Sequence, residues 1–353
     1  MKTFKFSLLF VIFTVLIPVW VVAQNVKLPA DSLNRTDLKG KKYGYWVKKD
    51  AKGKLKYEGR FKDNYPVGEF RYYDENEKLE NITLFTEKGV NAKTVMFYPD
   101  GIKQSEGCYI NRVKNGIWRL YNEKGKILTE EAYKGGRKDG VSKLFAPDSS
   151  IIESTTWKNG EKNGSWMQTD KRGTVKANFK NNLMDGVYEF YFPNGKLKLK
   201  GSNIMGMKTG VWNFYNEMGT LVKRIFYRND TPVKTEVQIV TDKKIFYQNV
   251  DSIMWVHKMA AKTTICQKGG NMIYCNNNPL DLLDLVGIDE FLRINERFFT
   301  NISAVVSYKT VDEKKGEVIL NPHPDFEVWT DEEGTLLFQS IYEKKPNEGL
   351  EEK

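Results

Sequence analysis

Two histidines, His257 and His323, and three cysteines, Cys108, Cys266 and Cys275, are all that a chain of 353 residues offers for metal or thiol chemistry. Neither histidine has a second at ligand spacing, so a zinc site is not expected. His323 lies in the loop Asn321-Pro322-His323-Pro324-Asp325, and His257 sits in an apolar stretch where packing is the simpler role. No Cys-x-x-Cys spacing marks a redox site. Phosphate-binding glycine loops are also missing, because the glycines recur at a fixed interval and serve turns. Asp281, Asp284, Asp289, Glu290 and Glu296 gather on one expected helix, where favourable charge at a helix start and a solvated face account for them. A hydrolase seated around His323 therefore has no convergent set of groups. The chain reads as non-enzymatic, with no cofactor and no metal.

Long apolar runs are equally scarce. The one that exists, Phe6 to Val22, follows Lys2 and Lys5 and ends at Val21-Val22-Ala23 before Gln24. That order of charge, apolar run and small residues is the pattern of an export signal over residues 1–23. Pro18 and the shortness of the run favour cleavage over a retained anchor. No cysteine follows to carry a lipid. Residues 24–41 read as a linker or N-terminal cap. The destination expected is periplasmic, outer-membrane-associated or secreted, and an oxidising compartment would permit a disulfide between Cys266 and Cys275, which flank the turn-rich Lys268-Gly269-Gly270-Asn271. Cys108 reads as a buried free thiol.

What the sequence has in abundance is self-similarity. Gly116-Ile117-Trp118-Arg119-Leu120-Tyr121-Asn122-Glu123-Lys124-Gly125 and Gly210-Val211-Trp212-Asn213-Phe214-Tyr215-Asn216-Glu217-Met218-Gly219 are nearly one sentence written twice. The first position recurs at Gly44, Gly68, Ala92, Gly116, Gly140, Gly164, Gly186 and Gly210, at 24-residue intervals with one of 22. That makes eight units across residues 42–231. A large aromatic stands two residues on at Trp46, Phe70, Trp118, Trp166, Tyr188 and Trp212, while Thr94 and Ser142 occupy that place in the third and fifth units. A turn landmark follows at nine, and a closing aromatic at seventeen in most units. Alternation within each half-unit, with turn residues between, makes every unit a β-hairpin. Stacked hairpins form a meander, and about sixteen strands at ~4.8 Å would run to roughly 75 Å. The fold class expected is mainly β: an elongated hairpin array with a small α+β domain at 232–353.

The pattern of glycine, aromatic two on, Tyr or Phe, turn glycine and closing aromatic resembles the MORN repeat, and more closely the bacterial variant found in toxin-antitoxin-associated proteins. The resemblance implies an array used for binding or assembly, with lipid contact and self-association, and it implies an antitoxin or immunity-type neutralising role as one alternative.

Charge divides along the chain. Residues 41–230 hold 36 Lys and Arg against 23 Asp and Glu, whereas residues 231–353 hold 14 against 20. A basic elongated surface attracts anionic partners. The function expected is an exported, non-catalytic scaffold binding a protein or an anionic envelope lipid or glycan, with a glycan-binding module as a further alternative. Nucleic acid is not expected, given the export signal. The aromatics five residues into the units, among them Tyr73, Tyr121, Tyr191 and Tyr215, fall on the face opposite the tryptophans and form the candidate binding face.

In the C-terminal part, strands are expected over 236–240 and 244–248, a short helix over 252–261 and a longer one over 280–299 with Asn278 as N-cap and Pro279 at its first position. Gly334-Thr335-Leu336-Leu337 with Tyr342 matches Gly219-Thr220-Leu221-Val222 with Tyr227, which suggests a ninth, degenerate hairpin at 325–342.

Overall fold

The computed structural model describes residues 32–287 and 290–342. The expected leader at 1–23 and the first part of the linker lie outside the described residues. From Arg35 to Asn249 the chain forms one antiparallel sheet of 20 strands in which sequence neighbours are spatial neighbours. This is the meander of hairpins that the period predicts. At its N-terminal edge Arg35–Thr36 pairs with Lys42 and Tyr43 as a two-residue strand.

Turn chemistry sets the register. All eight landmarks nine residues into the units have positive φ, including Glu77 (59°) and Ser149 (70°) where glycine is absent. Six two-residue turns between units, and a seventh after the last unit, place both residues at positive φ, as in Asp63-Asn64, Gly135-Gly136 and Asn159-Gly160. Such mirror-image turns match the strand twist and select Asn, Asp and Gly. Seven of the eight unit-opening positions are glycines with positive φ. Gly68, Gly116, Gly164, Gly186 and Gly210 sit next to register shifts, for instance the one between Glu106 and Cys108 opposite the strand that carries Gly116. Ala92 is the exception: its ladder with the preceding strand runs without a shift, and a 3-10 turn at Glu87–Gly89 replaces the two-residue turn.

The aromatic two residues into a unit packs on the closing aromatic of its own unit, of the preceding one, or, for Phe70, of both. Phe70 meets Phe61 and Phe85 edge-on at 5.1 and 5.3 Å, and Trp118 meets Tyr109 at 4.8 Å. Trp46 meets Phe61 and Trp166 meets Phe179 in the same way. A second determinant lies on the strand before each ring. A Cβ on Gly59, Gly107 or Gly201 would fall 2.5, 2.2 or 2.1 Å from the ring of Phe70, Trp118 or Trp212. These three glycines are the floor on which the rings lie, and those rings are the buried members of the row.

Beyond the last unit the array continues for two more strands, Thr231–Val240 and Ile245–Asn249. Val237 and Ile239 of the first are fully buried in a cluster with Ile253, Val256, Ile265, Cys275, Leu282 and Phe299. A five-stranded sheet thus docks on the end of the array. Its other face packs through Trp255, Leu292, Ile294 and Phe298 against a three-stranded sheet and the helix Glu332–Tyr342.

Four expectations for this region are corrected. Residues 253–259 form a buried strand, because an unbroken apolar run this short suits a strand covered on both faces. The helix with Asn278 as N-cap and Pro279 at its start ends at Val286, where Gly287 at φ 94° stops it; Phe291–Asn295 and Phe298–Asn301 then make a hairpin. The degenerate repeat is a helix from Glu332, since Asp331 caps it by accepting from the Gly334 amide at 2.9 Å. Gly334 is there for close approach to the Ile294 carbonyl, 2.0 Å from where a Cβ would stand. Finally, Cys266 and Cys275 are free. Cys266 pairs with Met272 and Cys275 with Thr263, so the two side chains leave opposite faces of the sheet into different cores. Cys108 is a free, half-buried thiol.

Two outcomes are expected. Gly201→Ala should destabilise the chain by about 1–3 kcal/mol in urea unfolding, since the Trp212 ring must move; an unchanged midpoint would contradict the ring floor. Cys266 and Cys275 should accept a maleimide on unfolding without reductant, and labelling that needs reductant would contradict the register.

Candidate binding surface

The two faces of the array carry different chemistry. On the aromatic face, a lysine two residues before the unit-opening position lies over the rings. Lys114 Nζ is 4.5 Å from the Trp118 ring and 5.0 Å from that of Tyr133, and Lys42 repeats this over Trp46 and Phe61 at the same two distances. Lys138 lies 5.0 Å over Trp157, Lys162 5.2 Å over Phe179, and Lys208 5.3 Å over Trp212. Cation–ring attraction of about 0.5–1 kcal/mol holds each at an exposed site. Successive lysines stand two strands apart, so Lys114, Lys138 and Lys162 form a row with a repeat of roughly 10 Å. Glu131 pairs with Lys138 at 2.6 Å and partly neutralises the middle member.

The opposite face carries a charge ladder that includes three of the four expected tyrosines. Tyr121 donates its hydroxyl to Glu106 at 2.7 Å, and Glu106 also accepts from Lys103 at 3.1 Å. Arg119 lies 2.8 Å from Glu130. Tyr73 donates to Glu58 at 2.6 Å and Tyr191 to Glu189 at 2.7 Å. Tyr73 and Tyr121 therefore staple neighbouring strands, whereas Tyr191 bonds within its own strand. Burial, then the bond to Glu106, pushes Tyr121 up to about 12. Burial and Glu58 push Tyr45 up to about 12, and burial and Glu131 do the same for Tyr133 on the aromatic face. Tyr73 is raised in the same way.

The row of rings is interrupted at Ala92 and Thr94, and there the aromatic face opens into a basin of about 1210 Å³. Phe85 and Tyr109 line it, and Tyr72, Met96 and Tyr98 extend its walls. Thr83 and Thr94 lie 7% and 1% exposed in the floor. Their hydroxyls are 3.0 Å apart, and the Asn81 amide bonds to both, donating to Thr94 at 2.9 Å and accepting from Thr83 at 2.7 Å. The second interruption, at Ser142, is occupied differently: Glu131 replaces Thr83 as the facing residue, and Lys138 replaces Val90. That ion pair, with Tyr133 donating to Glu131 at 2.8 Å, fills the place of a ring. The basin was not anticipated, although the joint change of Gly to Thr at 83 and aromatic to Thr at 94 is written in the sequence.

Among the described residues no cluster of His, Cys, Asp and Glu could hold a metal ion. His257 is stacked between Phe298 and Phe326 at 5.0 and 4.7 Å, and burial, then Arg297, lowers its pKa.

Residues 114–134 and 184–202 match the model of the MORN repeat variant family. Each stretch covers one hairpin of the array, Val113–Lys134 and Leu183–Ile204. Two hairpins of the array thus match the MORN repeat variant, and the other units share their period. No curated protein matches the chain. Among solved structures it is similar to the LytTr DNA-binding domain of a putative methyl-accepting/DNA response regulator from Bacillus cereus, with 12% identity over 30% of this chain and 94% of that one. The TM-score of 0.26 defines no shared architecture.

The raised phenols give the array an alkaline limit. A neutral phenol favoured by the fold contributes fully below its unfolded value of about 10, and the contribution is lost as pH rises through about 12. Loss of sheet circular dichroism is expected to accompany phenolate absorbance across that window. A sheet that persists while all tyrosines ionise near 10 would contradict it.

Proposed function

We propose that the chain is an exported, non-catalytic scaffold that engages an anionic component of the cell envelope, lipid headgroup or acidic glycan, along the lysine row of its aromatic face. The observation that supports this most directly is the row itself: Lys114, Lys138 and Lys162 recur at one register position in consecutive units, each held over rings. Random surface lysines would have neither a common register nor a fixed perch. The surplus of 13 basic residues over 41–230 adds a long-range attraction of the same sign. The acidic C-terminal domain packs on the terminal strands through Val237 and Ile239.

The test is binding of the full mature chain from Gln24 to vesicles with and without anionic lipid. Each lysine near an anionic surface contributes about 1 kcal/mol, so Lys114→Gln/Lys138→Gln/Lys162→Gln should weaken binding roughly a hundredfold. Binding should also fall as salt rises. Equal binding by the triple variant, or capture of a protein that survives high salt and needs none of the three lysines, would sink the reading.

A further inference from the structure

The row of rings lacks one member, and the vacancy has the size and the chemistry of a ring that bears hydroxyl groups. In the regular arrangement the aromatic two residues into a unit stands between two closing aromatics, as Phe70 does between Phe61 and Phe85. By register the next such place falls between Phe85 and Tyr109, because Ala92 pairs with both and Thr94 pairs with Thr83 and Gly107. Thr94 leaves it unfilled. Phe85 and Tyr109 are backed on their far sides by Phe70 at 5.3 Å and Trp118 at 4.8 Å, so the walls are held apart rather than free to collapse.

From this geometry we infer that the basin is a binding site for a neutral oligosaccharide, one of whose sugar rings takes the place of the missing aromatic. This goes beyond the lysine row and does not depend on it. The floor offers hydroxyls and a side-chain amide, Thr83, Thr94 and Asn81, and carries no charge. The bonded floor holds no cation for an anionic ligand, and the cations that line the basin elsewhere, Lys78, Lys88 and Arg112, stand in a lining that also carries Asp74 and Glu80. A wholly apolar ligand would leave the remaining bonding capacity of the polar floor unused, which a ligand with hydroxyls would not. A sugar ring presents C–H faces to Phe85 and Tyr109 and hydroxyls to the floor, so it meets both demands. The basin also runs the length of a strand. It is lined from Gly89 and Val90 at one end of Asn91–Phe97 to Tyr98 and Pro99 at the other. Seven extended residues span about 24 Å, which suits several sugars in a chain. The volume likewise exceeds the roughly 300–1,000 Å³ of a site for one small molecule.

The structure supplies its own blocking variant. Thr83→Gly/Thr94→Trp recreates the pairs Gly107 with Trp118 and Gly201 with Trp212, so it should fold at least as stably as the parent and fill the vacancy. Cellohexaose, maltohexaose and chitohexaose are titrated into the full mature chain by calorimetry, with saturation-transfer NMR for weak binders. The expected result is binding of at least one hexaose, a loss of at least about tenfold in the double variant, and unchanged affinity in the triple lysine variant. Thr94→Val, which keeps the volume and removes the hydroxyl, should weaken binding several-fold and serves if the double variant does not fold. The proposal is overturned if none of the three hexaoses binds. Binding that persists in a folded double variant, or in Thr94→Val where the double variant does not fold, also overturns it, as does a Thr94-dependent preference for anionic vesicles or an acidic peptide over the sugars.

Discussion

A sheet one layer thick cannot bury its side chains against a second layer, so each hairpin of this array must cover its neighbours. Ring-on-ring contact along one face answers that demand. The contact has a condition, which is that the strand before each buried ring must carry almost nothing. Gly59, Gly107 and Gly201 meet the condition for Phe70, Trp118 and Trp212, and a Cβ at any of them would enter the ring. Because the ring of one unit lies on the glycine of the unit before, neighbouring units are bound in pairs, and stability propagates along the chain by nearest-neighbour contact. The lysines over the rings and the Tyr–Glu staples on the other face reinforce the same coupling.

The two units that carry no ring show what stands in its place. At Ser142 the facing residue is Glu131, and the ion pair with Lys138 occupies the space of the ring. At Thr94 the facing residue is Thr83, the lysine position is Val90, and the basin lies there. The change of turn belongs to the same event. Ala92 lacks the positive φ of the other unit-opening residues, its strand pairs without a shift, and the connection lengthens into Glu87–Gly89. Three departures from the repeat coincide on one face of one unit, which is where a site distinct from the scaffold would be built.

The end of the array poses a separate difficulty, since an open sheet edge invites further pairing. Here the strands Thr231–Val240 and Ile245–Asn249 continue the meander without the repeat motif and turn Val237 and Ile239 into the core of the acidic domain. The domain and the array share one hydrophobic cluster, so the cap is attached by burial as well as by chain connectivity.

The period, the hairpins, the glycine and aromatic rows and the opposed placement of Tyr73, Tyr121 and Tyr191 were determined by the sequence, because hydrophobic alternation and positive-φ turn residues act within a few positions of one another. The helix start at Asn278-Pro279 was legible for the same reason. Where the repeat ends, local pattern no longer sufficed. Ile253–Met259, the hairpin within 291–301 and the helix from Glu332 each follow from burial among distant partners, and a short apolar run does not announce whether it is strand or helix. The separation of Cys266 from Cys275 depends on a cross-strand register that spacing alone does not reveal. The basin, too, exists only in three dimensions: Thr83 and Thr94 stand eleven residues apart, and only their pairing across adjacent strands, between Phe85 and Tyr109, turns two small side chains into a vacancy.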